Sequence, residues 1–212
     1  MNFNRIKMKT LISSLFIAGF TFTQSSILAQ DNNEAKTLFG NSKSITTKDL
    51  GFFIAPSYSI TELDGDITSM FNIRGGINLR DKLTIGAYYT TSLNQIEPKS
   101  ETLPNIYMDY WTVGGFAEYT LLSKKVFHLT LPLYFGYGEV EMDSDNVDIN
   151  LGEANFLTIE PSALLEVNLH KYVRFNLGAG YRFIDQMNYR NFNQSDISGL
   201  TGYVGLKFGL FR

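Results

Sequence analysis

Cysteine is absent from this 212-residue chain, which rules out a disulfide frame, a thiolate metal site and a lipoprotein cysteine after a leader. Tryptophan occurs once and histidine twice, so His128 and His170 are the only imidazoles available for acid–base chemistry. Charge of one sign is also scarce: the formal net charge is −3, and no bulk basic field argues for nucleic acid. Beyond the first thirty residues no apolar run approaches the ~20 residues that a membrane helix needs, and no helical periodicity is visible. A mean hydropathy of −0.07 does not exclude a membrane protein, because barrel strands are apolar on one face only.

What is present is aromatic and small: 17 Phe, 12 Tyr and 18 Gly. The N-terminus has the layout of an export signal. Arg5, Lys7 and Lys9 form a basic region, Leu11 to Phe22 is apolar, and Ile27-Leu28-Ala29 offers a cleavage site with Gln30 as the mature start. The alternative is a single-pass anchor, which the short apolar region and the polar Gln24, Ser25 and Ser26 argue against. These patterns predict a signal peptide over 1–29, a polar, poorly ordered periplasmic segment over 30–47, and a barrel domain over 48–212.

From residue 48 onward the chain alternates with period two. The last stretch, Leu200 to Phe211, sets Leu200, Val204, Leu206, Phe208 and Leu210 against Thr201, Tyr203, Gly205, Lys207 and Gly209. The same rhythm predicts strands over 49–60, 67–79, 82–94, 108–122, 125–140, 155–169 and 172–184, eight in all, each long enough to cross a bilayer at a tilt. Tight links at Arg80-Asp81-Lys82, Ser123-Lys124 and His170-Lys171 alternate with longer or more polar ones at 61–66, 95–107, 141–154 and 185–198. The fold class is therefore all-β: an eight-stranded antiparallel up-and-down transmembrane barrel with both ends in the periplasm.

The non-apolar face carries Gly, Thr, Ser, Asn and isolated charges rather than the Lys and Glu of a wetted surface. That favours a crowded interior inside a lipid-facing wall over a soluble barrel with the faces exchanged. A closed barrel also leaves no unpaired edge in lipid. Tyr89, Tyr110, Trp111, Tyr119, Phe127, Tyr137, Phe175 and Phe208 are expected as interfacial girdles.

The run Tyr203-x-Gly205-x-x-Phe208-x-Leu210 resembles the C-terminal signal by which the assembly machinery recognises outer-membrane barrels. Over residues 48–211 the chain resembles the small eight-stranded outer-membrane proteins of the OmpX and OmpA-barrel kind, in the form common among Bacteroidetes. The resemblance implies an outer-membrane location, contact with lipid and lipopolysaccharide, passage through the barrel assembly machinery, and a monomer. No nucleic-acid partner and no cofactor are implied. No peptidoglycan-binding domain is expected after the barrel, unlike full-length OmpA.

Seven charges are expected to face inward: Arg74, Glu118, Glu160, Glu166, Arg174, Arg182 and Lys207. Strand direction places Glu118, Glu166, Arg174 and Lys207 near the periplasmic end, Glu160 and Arg74 near the middle, and Arg182 higher. Eight strands leave an interior just wide enough to be filled by side chains, and unpaired buried charge is costly, so an interior salt-bridge network is expected. A narrow ion path is the alternative. His128 and Thr130 share a face, and some eight-stranded barrels modify lipid A through a His-Ser arrangement. Here both sit near the periplasm, so His128 reads better as a hydrogen-bonded interior residue.

The stretch Glu141 to Glu153 is acidic. Asp143, Asp145 and Asp148 begin like a calcium loop but lack the glycine and the terminal glutamate, leaving a solvated loop or a weak divalent-ion loop. The segment 187–197, with Tyr189, Arg190 and Phe192, has the composition of a surface contact. The expected role is non-enzymatic: a structural or surface-contact outer-membrane barrel. A narrow pore and a lipid A-modifying enzyme are the competing readings.

Overall fold

The computed structural model describes residues 47–101, 105–144, 152–185, 187–189 and 191–211. In chain order its strands are β1 (Leu50–Leu63), β2 (Asp66–Leu79), β3 (Leu83–Ser92), β4 (Ile106–Leu121), β5 (Phe127–Ser144), β6 (Glu153–His170) and β7 (Val173–Ile184). There follow a two-residue pair, β8 (Asn188–Tyr189) and β9 (Phe192–Asn193), the single-turn helix α1 (Gln194–Ile197), and β10 (Gly199–Gly209). Strands β1 to β7 and β10 form one closed antiparallel barrel. The last strand closes on the first from Phe53↔Gly209 to Thr61↔Thr201. The eight expected strands are all present. The segments 1–29 and 30–46 lie outside the described residues, and Thr47 opens a short 3-10 turn.

At one end the links are tight. Arg80 and Asp81 both take left-handed backbone angles (φ 52° and 53°), and Arg80 reaches Asp49 through Nε at 3.1 Å. The other end carries the longer connections, with one correction. The segment 61–66 is no loop: β1 and β2 run together until Asp64-Gly65, whose positive φ values (47° and 79°) make a two-residue hairpin turn. Asp-Gly supplies the two left-handed positions that such a turn requires.

The alternation has the expected parity. Phe52, Ile85, Phe135 and Leu165 point outward and are exposed, while Asn72, Thr112, Glu118 and Asn176 point inward and are buried. The apolar face changes sides partway up the wall. On β5 the outward residues Leu131, Leu133, Phe135 and Tyr137 give way to Glu139, Glu141 and Asp143, while the inward line changes from Thr130 and Tyr134 to Val140 and Met142. On β6 outward Leu157 and Ile159 are preceded by Glu153 and Asn155, with Phe156 turned in. On β4 outward Val113 is preceded by Trp111 and Asp109, with Met108 and Tyr110 turned in. The long strands therefore carry two stacked regions, one apolar outside and one apolar inside.

Prolines interrupt the wall. The β6–β7 register passes Ile159↔Phe183 and resumes at Ser162↔Gly180, skipping Pro161. The β1–β10 register skips Pro56 in the same way. Proline has no N–H to give to the ladder.

Candidate functional site

The interior divides into three levels. Nearest the tight turns lies an ionic cluster. Lys207 Nζ sits 2.7 Å from Glu118 Oε1 and 2.7 Å from Glu166 Oε1, bridging the two carboxylates. Arg74 Nη1 lies 3.0 Å from Glu118 Oε2 and its Nη2 3.5 Å from Glu166 Oε1, and the same Nη1 donates to the Tyr134 hydroxyl at 2.7 Å. His128 Nε2 lies 3.1 Å from Glu166 Oε2. Arg174 contacts Glu166 at 3.8 Å and Asp81, from the β2–β3 turn, at 3.7 Å. Three bases (Arg74, Lys207, Arg174) thus meet three acids (Glu118, Glu166, Asp81), and the balance repays much of the cost of taking such charges out of water.

Of the seven expected inward charges, Arg74, Glu118, Glu166, Arg174 and Lys207 meet in this cluster, while Glu160 and Arg182 lie above it. Arg74 does not stay at mid-height with Glu160; its long side chain reaches down to Glu118 and Glu166. Glu160 has no salt bridge among the described residues, and it accepts instead from the hydroxyls of Tyr203 and Ser162. Asp81 and Tyr134 belong to the cluster but were not singled out from the sequence. The first lies in a turn, where strand parity says nothing, and the second is an aromatic on the inward line.

At mid-height is a partly enclosed cavity of about 30 Å³, lined among others by Glu160, Arg182, Tyr88, Thr158 and Tyr203. That is room for one or two waters. Interior glycines make this packing possible: a Cβ at Gly138 would collide with the Phe156 ring, and one at Gly136 with the Tyr88 hydroxyl.

Above the cavity the interior is apolar. Leu63, Met70, Ile96, Met108, Val140, Met142, Phe156, Met187, Phe192 and Ile197 form one buried apolar cluster. Tyr110 is part of it rather than of a girdle: it is 2% exposed, stacks on Phe156 at 5.7 Å and lies under the Arg182 guanidinium at 5.3 Å. The segment 187–197 also corrects the sequence reading. Phe192 is turned inward, not displayed, and Arg182 Nε pins the chain by donating to the Ile197 carbonyl at 2.9 Å. Asn193 caps α1 reciprocally with Asp196, which fixes this short inward turn.

The remaining expected residues fall as follows. His128 and Thr130 are both buried at the ionic level. Tyr203 faces inward toward Glu160, while Phe208 points outward, with Gly205 between them on β10. Asp143 accepts from the Ser144 N–H at 2.7 Å, while Asp145 and Asp148 lie outside the described residues. Among the described residues no group of acids and imidazoles is arranged to hold a metal ion. Charge is polarised between the ends. Glu62, Asp66, Glu97, Asp109, Glu139, Glu141 and Glu153 lie toward the end with the longer connections, and Arg80, Lys82, Lys124, Lys125 and Lys171 occupy the turns of the other.

No protein-family model and no curated protein matches the chain. Solved structures do. The Neisserial surface protein A aligns over 77% of this chain and 97% of its own, with 11% identity and a TM-score of 0.54. Ail, the attachment invasion locus protein of Yersinia pestis, aligns over 76% and 97%, with 14% identity and a TM-score of 0.46. The outer-membrane protease OmpT of Escherichia coli aligns over 80% and 99%, with 9% identity and a TM-score of 0.34. At such identities a likeness speaks for the fold alone. The chain has the fold of the small eight-stranded outer-membrane barrels.

Proposed function

We propose that this chain is a non-enzymatic integral protein of the bacterial outer membrane, a plugged barrel that anchors in the bilayer and presents its acidic, longer-looped end for surface contacts. The observation that carries the reading is the reversal along the strands. An outward apolar belt over a polar, ion-paired interior suits lipid, and the inward apolar cluster under an acidic exterior suits water. The belt runs from Phe127 to Tyr137 on β5 and from Leu157 to Leu169 on β6. Both spans are at least as long as the ~9–11 residues that a tilted strand needs to cross a bilayer.

A pore is the weaker reading, because a solute path would have to pass the Lys207–Glu118–Glu166 cluster and then the apolar cap around Phe156. Gel mobility of outer-membrane fractions from cells expressing the chain tests the proposal. Unheated protein should run as a compact band that shifts on boiling, with protease cutting confined to the 93–105 and 145–152 connections on intact cells. Recovery in the soluble periplasmic fraction without a shift would sink it.

A further inference from the structure

The end with the tight turns holds an open cleft of about 440 Å³ between the β4–β5 and β6–β7 turns. Two hydrogen bonds hold these turns side by side. Asn168 donates from its amide to the Lys125 carbonyl at 3.1 Å and from its backbone to the Val126 carbonyl at 3.0 Å. Lys124, Lys171, His170 and Ser123 line the cleft, with Arg174 deeper in its wall and Asp81 as an acid on the same wall.

Arg174 is the unusual member. It is 5% exposed, its two ion pairs (3.7 and 3.8 Å) are too long for hydrogen bonds, and its Nε has no hydrogen-bond partner among the described residues. The Phe211 ring, 3.7 Å from the guanidinium carbon, covers one flat face, while Nη1 and Nη2 face Glu166 and Asp81 at ion-pair distance without hydrogen-bonding them. His170 Nδ1 accepts from the Tyr172 N–H at 3.4 Å, so a neutral ring carries its proton on Nε2 and offers a donor. Two lysines and an imidazole donor around one hollow, backed by a guanidinium whose ion pairs are too long to be hydrogen bonds, are the chemistry of a phosphate site.

We propose that this cleft seats the phosphate of an anionic phospholipid headgroup in the leaflet that surrounds the tight-turn end. The proposal rests on the membrane reading above. A lipid suits the cleft better than free phosphate because Leu169, 62% exposed at the foot of the β6 apolar belt, forms part of its wall. A headgroup held there lays its acyl chains along that belt. The acidic opposite end offers no such match.

The test is native mass spectrometry of the full chain, folded in neutral detergent and offered equal amounts of phosphatidylglycerol and phosphatidylcholine with identical acyl chains. Each lysine near an anionic group is worth roughly fivefold in binding. Phosphatidylglycerol should be retained about five- to twenty-fold over phosphatidylcholine. The double variant Lys124→Gln/Lys171→Gln should bring the two lipids to parity, and Lys82→Gln, on the neighbouring turn, should leave the preference intact. Equal retention by the unaltered chain, or a preference that survives the double variant, overturns the site. Displacement of the lipid by millimolar inorganic phosphate assigns the cleft to free phosphate and overturns the lipid assignment. A heat-shift gel on each sample separates the two levels of failure. Folded protein without preference sinks only the headgroup site, whereas unaltered chain that never shows the folded band sinks the membrane reading with it.

Discussion

Lys207 Nζ stands 2.7 Å from Glu166 Oε1, joining the closing strand to a strand two places away through the middle of the barrel. The same ammonium touches Glu118 at 2.7 Å and lies 4.5 Å from the Phe53 ring, so it is enclosed on several sides. Removing it leaves two carboxylates facing each other with one of their three compensating bases gone. Lys207→Ala should cost about 3–5 kcal/mol, the range for breaking a buried pair from one side. Urea unfolding of detergent-folded protein measures this as a lower midpoint. Adding Glu166→Gln to Lys207→Ala should return part of the loss, and a double variant no better than the single would count against the bridging role.

Two layers of side chains occupy the bore, the Lys207–Glu118–Glu166 cluster and the apolar cluster around Phe156. Lys207→Ala alone should leave planar bilayers silent, because the cap of Met108, Val140, Phe156 and Phe192 still fills the upper bore. Combining it with Phe156→Ala and Phe192→Ala should give small conductance steps. Steps from the single variant would mean that the cap does not close the bore.

Phe192 tests the cap itself. It is 3% exposed and belongs to an apolar cluster that is separate from the one around Phe116 and Tyr134. Phe192→Ala removes a ring whose core equivalents are worth about 3–5 kcal/mol. The loss should stay local. Protease should cut within 187–197 while the folded gel band survives, since the belt strands keep their ladders.

Trp111 reports the boundary. It is the only tryptophan, its Nε1 donates to Glu139 at 3.2 Å, and its ring lies 5.9 Å from Tyr137 at the level where the β5 exterior turns acidic. Its fluorescence in bilayers should be quenched more by bromines near the headgroups than by bromines at the acyl-chain ends. Equal or deeper quenching would place the boundary elsewhere.

Strand count, parity and the identity of the inward charges were legible in the sequence because period two survives every environment. Four things were not. The swap of apolar face keeps the period and changes only its meaning, so the upper parts of β5 and β6 read as loop: the pattern predicts an end near residue 140, and the strand runs to Ser144. Asp64-Gly65 was hidden by the polar residues around it, although its left-handed angles are what Asp-Gly provides. Side-chain reach was the third. Parity gives the wall position of Arg74, but its guanidinium meets Glu118 and Glu166 well below that position. Phe192 looked like a displayed aromatic because a loop has no parity to say which way it turns.

The reversal between Tyr137 and Glu139 on β5, and between Asn155 and Leu157 on β6, also fixes elevation. Sliding the molecule along the bilayer normal by one residue pair moves it by up to about 6.6 Å. Upward, that lifts Leu157 into water; downward, it drags Glu139 into hydrocarbon. The protein therefore has a set draught, like a hull with a painted waterline. The height at which its acidic rim stands above the lipid is a property of the chain, and a membrane thicker or thinner than the belt must adjust to it.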